Sequence, residues 1–151
     1  MKDKKKKKKK LKKPKIRAIT LGLIRDETRL FVAEGYDPIE KETFYRALGG
    51  GIDFGESSLA AVQREFQEEM QAELANLRYL GCIENIFIYN GTPGHEIVLV
   101  YQGDFADSQL YEVDEVEFVE GETQGKAVWV EISRFQSGEL RLYPEAFLNY
   151  L

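Results

Sequence analysis

Cysteine, histidine and tryptophan each occur once in these 151 residues. The lone Cys82 has no internal disulfide partner, and its place in LGCIENIFIY predicts a buried core thiol in a reducing compartment. The lone His95 reads as an ordinary turn residue rather than a base. No apolar run approaches the roughly 18 residues that span a bilayer, and the first residues lack the apolar stretch of about 7–15 residues of a secretory signal. These absences predict a cytoplasmic protein with no membrane span.

What is present divides sharply by charge. The net formal charge is −5. Residues 1–15, MKDKKKKKKKLKKPK, hold eleven lysines and one aspartate and carry about +10, so residues 16–151 carry about −15. A block of like charges repels itself, and residues 1–15 read as a disordered polylysine tail. A solvated appendage is the plain reading of that tail. Weak contact with nucleic acid or an anionic surface, through counterion release, is the functional one. The remainder, 16–151, has the length of one ordinary domain with a core of its own.

Past Pro14, IRAITLGLIR (16–25) and TRLFVAEGY (28–36) are rich in branched and aromatic residues around Asp26-Glu27, which predicts a β-hairpin. TFYRAL (43–48) reads as a third strand that ends at Gly49-Gly50-Gly51, where the backbone can approach another group closely. LRYLGCIENIFIYN (77–90) and HEIVLVYQGDF (95–105) flank NGTPG, a second hairpin. The acidic stretch 106–125 reads as a loop, AVWVEI (127–132) as a strand, and the last twenty residues as short closing helices. About six strands, one central helix and a closing helix make an α+β layout.

The central helix, 57–71, follows Ser57 as N-cap and carries Leu59, Val62, Phe66 and Met70 as an apolar stripe. At about 100° per residue from Arg64, Glu68 falls near 40°, Glu65 near 100° and Glu69 near 140°, beside a stripe at about 160–240°. Like charges three and four residues apart repel by some tenths of a kcal/mol each, and Arg64 is the one compensating cation nearby. A solvated acidic face leaves that repulsion standing. A hard divalent cation converts it into binding, because Mg²⁺ and Mn²⁺ take oxygen ligands and keep open positions for phosphate oxygens.

The stretch Gly50, five residues, Glu56, seven residues, Arg64-Glu65-Phe66-Gln67-Glu68-Glu69-Met70-Gln71-Ala72 resembles the box GX5EX7REUXEEXGU of the Nudix hydrolases, U being a bulky aliphatic. The resemblance implies a mixed β-sheet sandwiched between helices (α/β/α) over 16–151. It also implies Mg²⁺- or Mn²⁺-dependent hydrolysis of a pyrophosphate bond in a nucleoside diphosphate-linked substrate. By the same resemblance, Glu65, Glu68 and Glu69 are metal ligands with the Gly49 carbonyl, and Arg64 and Glu56 form an orienting pair. Glu117, Glu120 and Glu122 in the acidic stretch are candidates for a proton-accepting carboxylate, with Glu120 placed among the catalytic residues. Phe44, Tyr45, Arg46 and Tyr89 are candidates for holding the nucleotide, with Phe87 a further aromatic.

Three positions depart from the box. Phe66 and Ala72 replace aliphatics, and Gln71 stands where the family has glycine. A left-handed Gln71 costs roughly 1–2 kcal/mol, and the alternative is a helix that runs on toward Asn76. A (deoxy)nucleoside triphosphate or related nucleotide is the expected substrate. Tyr89, seventeen residues after Ala72, favours a dinucleoside polyphosphate instead, and a non-catalytic nucleotide- or RNA-binding domain is the third reading. A monomer and a homodimer are equally compatible with the chain.

Overall fold

Strand β1, Ile16–Ile24, is buried without a break over its last six residues. A strand with both faces apolar must be covered on both faces. The computed structural model, which describes residues 13–151, shows how. β1 pairs antiparallel with β4 (Leu48–Gly51) and parallel with β6 (Thr92–Phe105), and β6 pairs with β5 (Leu74–Tyr89), giving the order β4-β1-β6-β5. A second mixed sheet runs β7-β8-β2-β3-β9, from β7 (Glu115–Glu120) and β8 (Thr123–Glu131) through β2 (Arg29–Asp37) and β3 (Glu42–Arg46) to β9 (Leu142–Tyr143).

One core gathers Ile19, Leu21, Val98 and Val100 with Val32, Phe135 and Phe147. Phe135 belongs to the short helix α2 (Ile132–Gln136), and Phe147 to a closing 3₁₀ segment (Glu145–Tyr150). The other core packs Ile24, Phe31, Tyr101 and Phe105 against Val62 and Phe66 of helix α1 (Ser58–Met70). The mixed sheets lie between helical elements, as the α+β reading expects.

Several local expectations change. The strands at 16–24 and 29–37 exist but do not form a hairpin: apart from one bridge, Arg25 to Leu30, they join different sheets. Three glycines do not end a strand; they are most of β4, with Gly49, Gly50 and Gly51 opposite Leu21, Thr20 and Ile19. At Gly49 a Cβ would sit 1.9 Å from the Thr20 carbonyl oxygen, so no side chain fits. The acidic stretch is not a loop. It holds a 3₁₀ turn (Ser108–Tyr111) and β7, hairpinned to β8 and anchored where Trp129 Nε1 donates to the Leu110 carbonyl at 2.9 Å. Cys82 is exposed, because alternation along β5 turns its neighbour Ile83 inward instead.

The central helix begins as expected, with the Ser57 hydroxyl accepting from the Ala60 N–H at 3.1 Å. It stops at Gln71, which is left-handed at φ 54° and does not continue toward Asn76. The Gln71 and Ala72 N–H groups close the last turn onto the carbonyls of Gln67 and Phe66. Phe66, large for its position, fits because Gly22 faces it: a Cβ there would lie 2.7 Å from the ring. No helix among the described residues is long and apolar enough to cross a membrane. The polylysine segment 1–12 lies outside the described residues.

Candidate functional site

The helix is rotated relative to its apolar stripe. Its buried residues are Ala61, Val62, Phe66 and Glu69, while Leu59 is 42% exposed. The buried arc therefore spans about 60–200° on the wheel used above, so Glu65 and Glu69 lie within it rather than beside it, while Glu68 stays at its exposed edge. Strand β4 makes the rotation feasible, since a sheet edge made of glycine has no side chains to fill the space. The Glu65 carboxyl occupies it, so close that a Cβ on Gly50 would be 2.5 Å from the carboxyl carbon.

Arg64 organises the entry to the helix. Its Nε and Nη2 donate to the two oxygens of Glu56 at 2.7 and 2.9 Å, a forked pair. Nη2 also donates to the Gly51 carbonyl at 2.9 Å, and Nη1 to Glu65 at 2.9 Å and Glu68 at 3.2 Å. Glu56 in turn accepts from the Asp53 N–H at 3.1 Å, closing the turn before the helix. The hydrogen bonds from Arg64, then that from Asp53, hold the Glu56 carboxyl down at about 2. The Glu56 hydrogen bond in turn raises the Arg64 guanidinium further above its ordinary value.

Glu69, one turn along from Glu65, is 7% exposed. Burial first, then the charges of Glu120 and Glu65, push its carboxyl well above the usual carboxylate range, with Arg46 alone acting the other way. Glu120 arrives from the end of β7, and Arg46 of β3 forms an ion pair with it. Two strands of the second sheet thus complete a cluster begun by a helix on the first. Glu117 does not join it, pointing from the opposite face of β7 beside Glu115 and Lys126, and Glu122 is exposed in the following turn.

The donor set of Glu65, Glu69 and Glu120 is all oxygen, which suits Mg²⁺ or Mn²⁺ and not a soft metal. As they stand, no three acidic residues among the described ones converge on one point. Glu65 and the 60% exposed Glu68 are both turned toward Arg64. A cation at this spot would reverse the preference of Glu69 for its neutral form, and rotation of Glu65 and Glu68 off Arg64 would bring them to it.

Beside the cluster, a cleft of about 470 Å³ opens between the two sheets. Glu120 and Arg46 line it at the cluster, and Phe44, Phe87 and Tyr89 line it as well. The Phe44 ring meets Tyr89 and Tyr143 edge-on, each at 5.6 Å between centroids. Three cleft rings lie over the glycine directly opposite them in the neighbouring strand: Phe44 over Gly35, Phe87 over Gly94 and Phe118 over Gly125. Glycine there lets a ring lie flat on the sheet, leaving the cleft open above it. Tyr45 is a correction: one residue from Phe44 and Arg46, it leaves β3 on the other face and packs on Phe135 at 5.7 Å. His95 sits in β6 opposite Ile16 and Ile86, not in a turn. Phe118, Tyr143, Asn85 and Glu96 line the cleft without having been singled out from sequence. The alternation around Phe118 was a usable signal, whereas Tyr143 reaches the cleft through a two-residue strand with no pattern to read.

Comparison with known proteins fits this architecture. Among solved structures, a MutT Nudix hydrolase from Burkholderia pseudomallei superposes with a TM-score of 0.60 at 22% identity, over 79% of this chain and 85% of that one. A Nudix hydrolase from Nitrosomonas europaea gives 0.60 at 17%, over 86% and 82%. The MutT protein from Bacillus halodurans gives 0.59 at 18%, over 89% and 80%. At such identities these likenesses speak for the fold. No curated protein matches the sequence. The model of the NUDIX domain matches residues 13–149. With the box carboxylates on a helix that a glycine strand draws inward, and that match spanning nearly the whole chain, the protein belongs to the Nudix family, whose members are generally metal-dependent pyrophosphate hydrolases.

Proposed function

We propose that this protein hydrolyses the pyrophosphate bond of a nucleoside diphosphate derivative, with Mg²⁺ or Mn²⁺ as cofactor and a nucleoside triphosphate or related nucleotide as substrate. One observation carries the reading: the buried Glu69 carboxylate, with Glu65 and the half-exposed Glu120 beside it, stands at one end of a cleft whose walls are aromatic. Polyphosphate needs charge neutralisation and a base needs flat apolar surface, and the two lie side by side.

Glu65, Glu68 and Glu69 would hold the cation, with the Gly49 carbonyl as a further donor. The cation would supply neutralisation of the phosphate oxygens and activation of water. Arg64 keeps the turn and the helix in register through Glu56 and Gly51. Glu120 accepts a proton at its carboxylate, steadied by Arg46. Phe44 and Tyr89 hold the base. The position of Tyr89 in the cleft supports a dinucleoside polyphosphate as the second reading, since its ring is available to a second base. The test is a panel of nucleoside triphosphates, dinucleoside polyphosphates and nucleotide sugars, with phosphate and pyrophosphate release followed with Mg²⁺, with Mn²⁺ and in EDTA. Metal-dependent release from at least one member is expected. Release unaffected by EDTA, or none from any member, overturns the reading.

A further inference from the structure

The floor of the cleft carries two polar residues that neither the box nor the cores employ. Asn85 of β5 and Glu96 of β6 are directly opposed across the ladder, so both side chains leave the sheet on the face that lines the cleft. The Glu96 side chain is 17% exposed, and its ionic partner Arg17, itself 63% exposed, comes no nearer than 3.8 Å. That distance offsets charge but is too long for a hydrogen bond. A carboxylate largely withdrawn from water, with no donor at bonding distance among the described residues, is a strong acceptor facing an open cavity. Asn85 beside it offers an amide N–H₂ and a carbonyl. Across the cleft stand Phe44 and Tyr143, and Tyr89, further along β5 from Asn85, meets Phe44 edge-on, so that the three form a wall suited to one flat ring.

We propose that Glu96 and Asn85 read the base of the substrate and select guanine. The proposal rests on the nucleotide reading above. Guanine presents N1–H and N2–H₂ side by side, matching the two oxygens of one carboxylate, and its O6 accepts from the Asn85 amide. Adenine and cytosine turn a ring-nitrogen lone pair toward that carboxylate instead. Uracil offers a single ring N–H, and hypoxanthine keeps N1–H and O6 but lacks the amino group. The order that follows is guanine, then hypoxanthine, then uracil, with adenine and cytosine last. Arg17 balances the charge of Glu96 without occupying the lone pairs the base would use.

The experiment compares kcat/KM for GTP, ITP, UTP, CTP and ATP in the wild-type chain and in Glu96→Gln, alongside binding of GDP and ADP in EDTA. A preference for GTP over ATP of about 10² is expected, with ITP between them. In Glu96→Gln, where an N–H₂ replaces one acceptor oxygen, that ratio narrows at least tenfold, and GDP loses its advantage over ADP in binding. Equal kcat/KM for GTP and ATP, with equal binding of GDP and ADP, overturns the base assignment and leaves hydrolysis standing. A GDP preference that Glu96→Gln abolishes, with no triphosphate hydrolysed, overturns hydrolysis alone. Should Glu96→Gln melt early through loss of its contact with Arg17, Asn85→Leu serves instead and must narrow the GTP-to-ITP-to-ATP spread. An undiminished spread in Asn85→Leu counts against the proposal.

Discussion

Glu56 and Glu69 belong to one motif and carry the same side chain, yet the protein drives them in opposite directions. Glu56 meets a forked guanidinium and a backbone N–H and is held down at about 2. Glu69 is buried among carboxylates, with only Arg46 as counterweight, and is pushed up. The first arrangement is complete in itself, since every strong acceptor has its donor. The second is stable only with a proton, or with a cation in place of the proton. Arg64 thus serves as scaffold at one end of the helix, while the far end is left electrostatically open for a ligand.

Removing the open carboxylate gives the largest effect. Glu69→Gln is expected to lower kcat by at least about 10², read by steady-state kinetics, while keeping the fold. The same variant sharpens the contrast without metal. Folded Glu69 holds a proton that the unfolded chain gives up above its ordinary value of 4.5, so the metal-free protein loses stability as pH rises past that point. In EDTA, melting temperatures from pH 5 to 8 should decline in the wild type more steeply than in Glu69→Gln.

At the closed end, Arg64→Ala strips donors from Glu56, Glu65 and the Gly51 carbonyl. A loss of about 1–2 kcal/mol in urea unfolding is expected, together with reduced turnover, and Arg64→Lys should recover only part because it lacks the fork. Glu56 has the opposite pH sign to Glu69. Its contribution is present above 4.5 and fades as pH falls toward about 2, so Glu56→Gln should flatten the acid limb of a stability–pH curve. The smallest effect lies outside both ends. Gln71 is strained at φ 54°, and Gln71→Gly should raise stability by about 1 kcal/mol in thermal melts without changing kcat/KM. A destabilised Gln71→Gly would mean that the side chain stabilises the helix end more than the strain costs.

Legibility followed the range of the forces. Ser57, the helix it caps and the Asn90-Gly91 hairpin were readable because each depends on residues a few positions apart. The partnership of β1 and β2 was not. Their short connection permits a hairpin, but each has its best partners elsewhere, β1 with β6 and β2 with β8. In β7 the alternation of Val116 and Phe118 was present but hidden among acidic neighbours. Tyr45 was a failure of period rather than of range, since adjacent strand residues face opposite ways and Phe44 and Tyr45 could not both line one cleft.

The spacing of Arg64, Glu65, Glu68 and Glu69 was settled by sequence alone, because helical periodicity places those groups on one arc whatever surrounds the helix. Which way that arc faces was decided only in three dimensions. Glu65 and Glu69 turn inward while Glu68 stays exposed, because β4, pressed against β1 in glycine, leaves room for Glu65, and because β7 and β3 bring Glu120 and Arg46 to Glu69. Local geometry is encoded by neighbours in the chain, whereas the environment that separates Glu69 from Glu56 comes from strands on either side of the helix in the chain, with Arg46 lying 23 residues before Glu69 and Glu120 lying 51 after it.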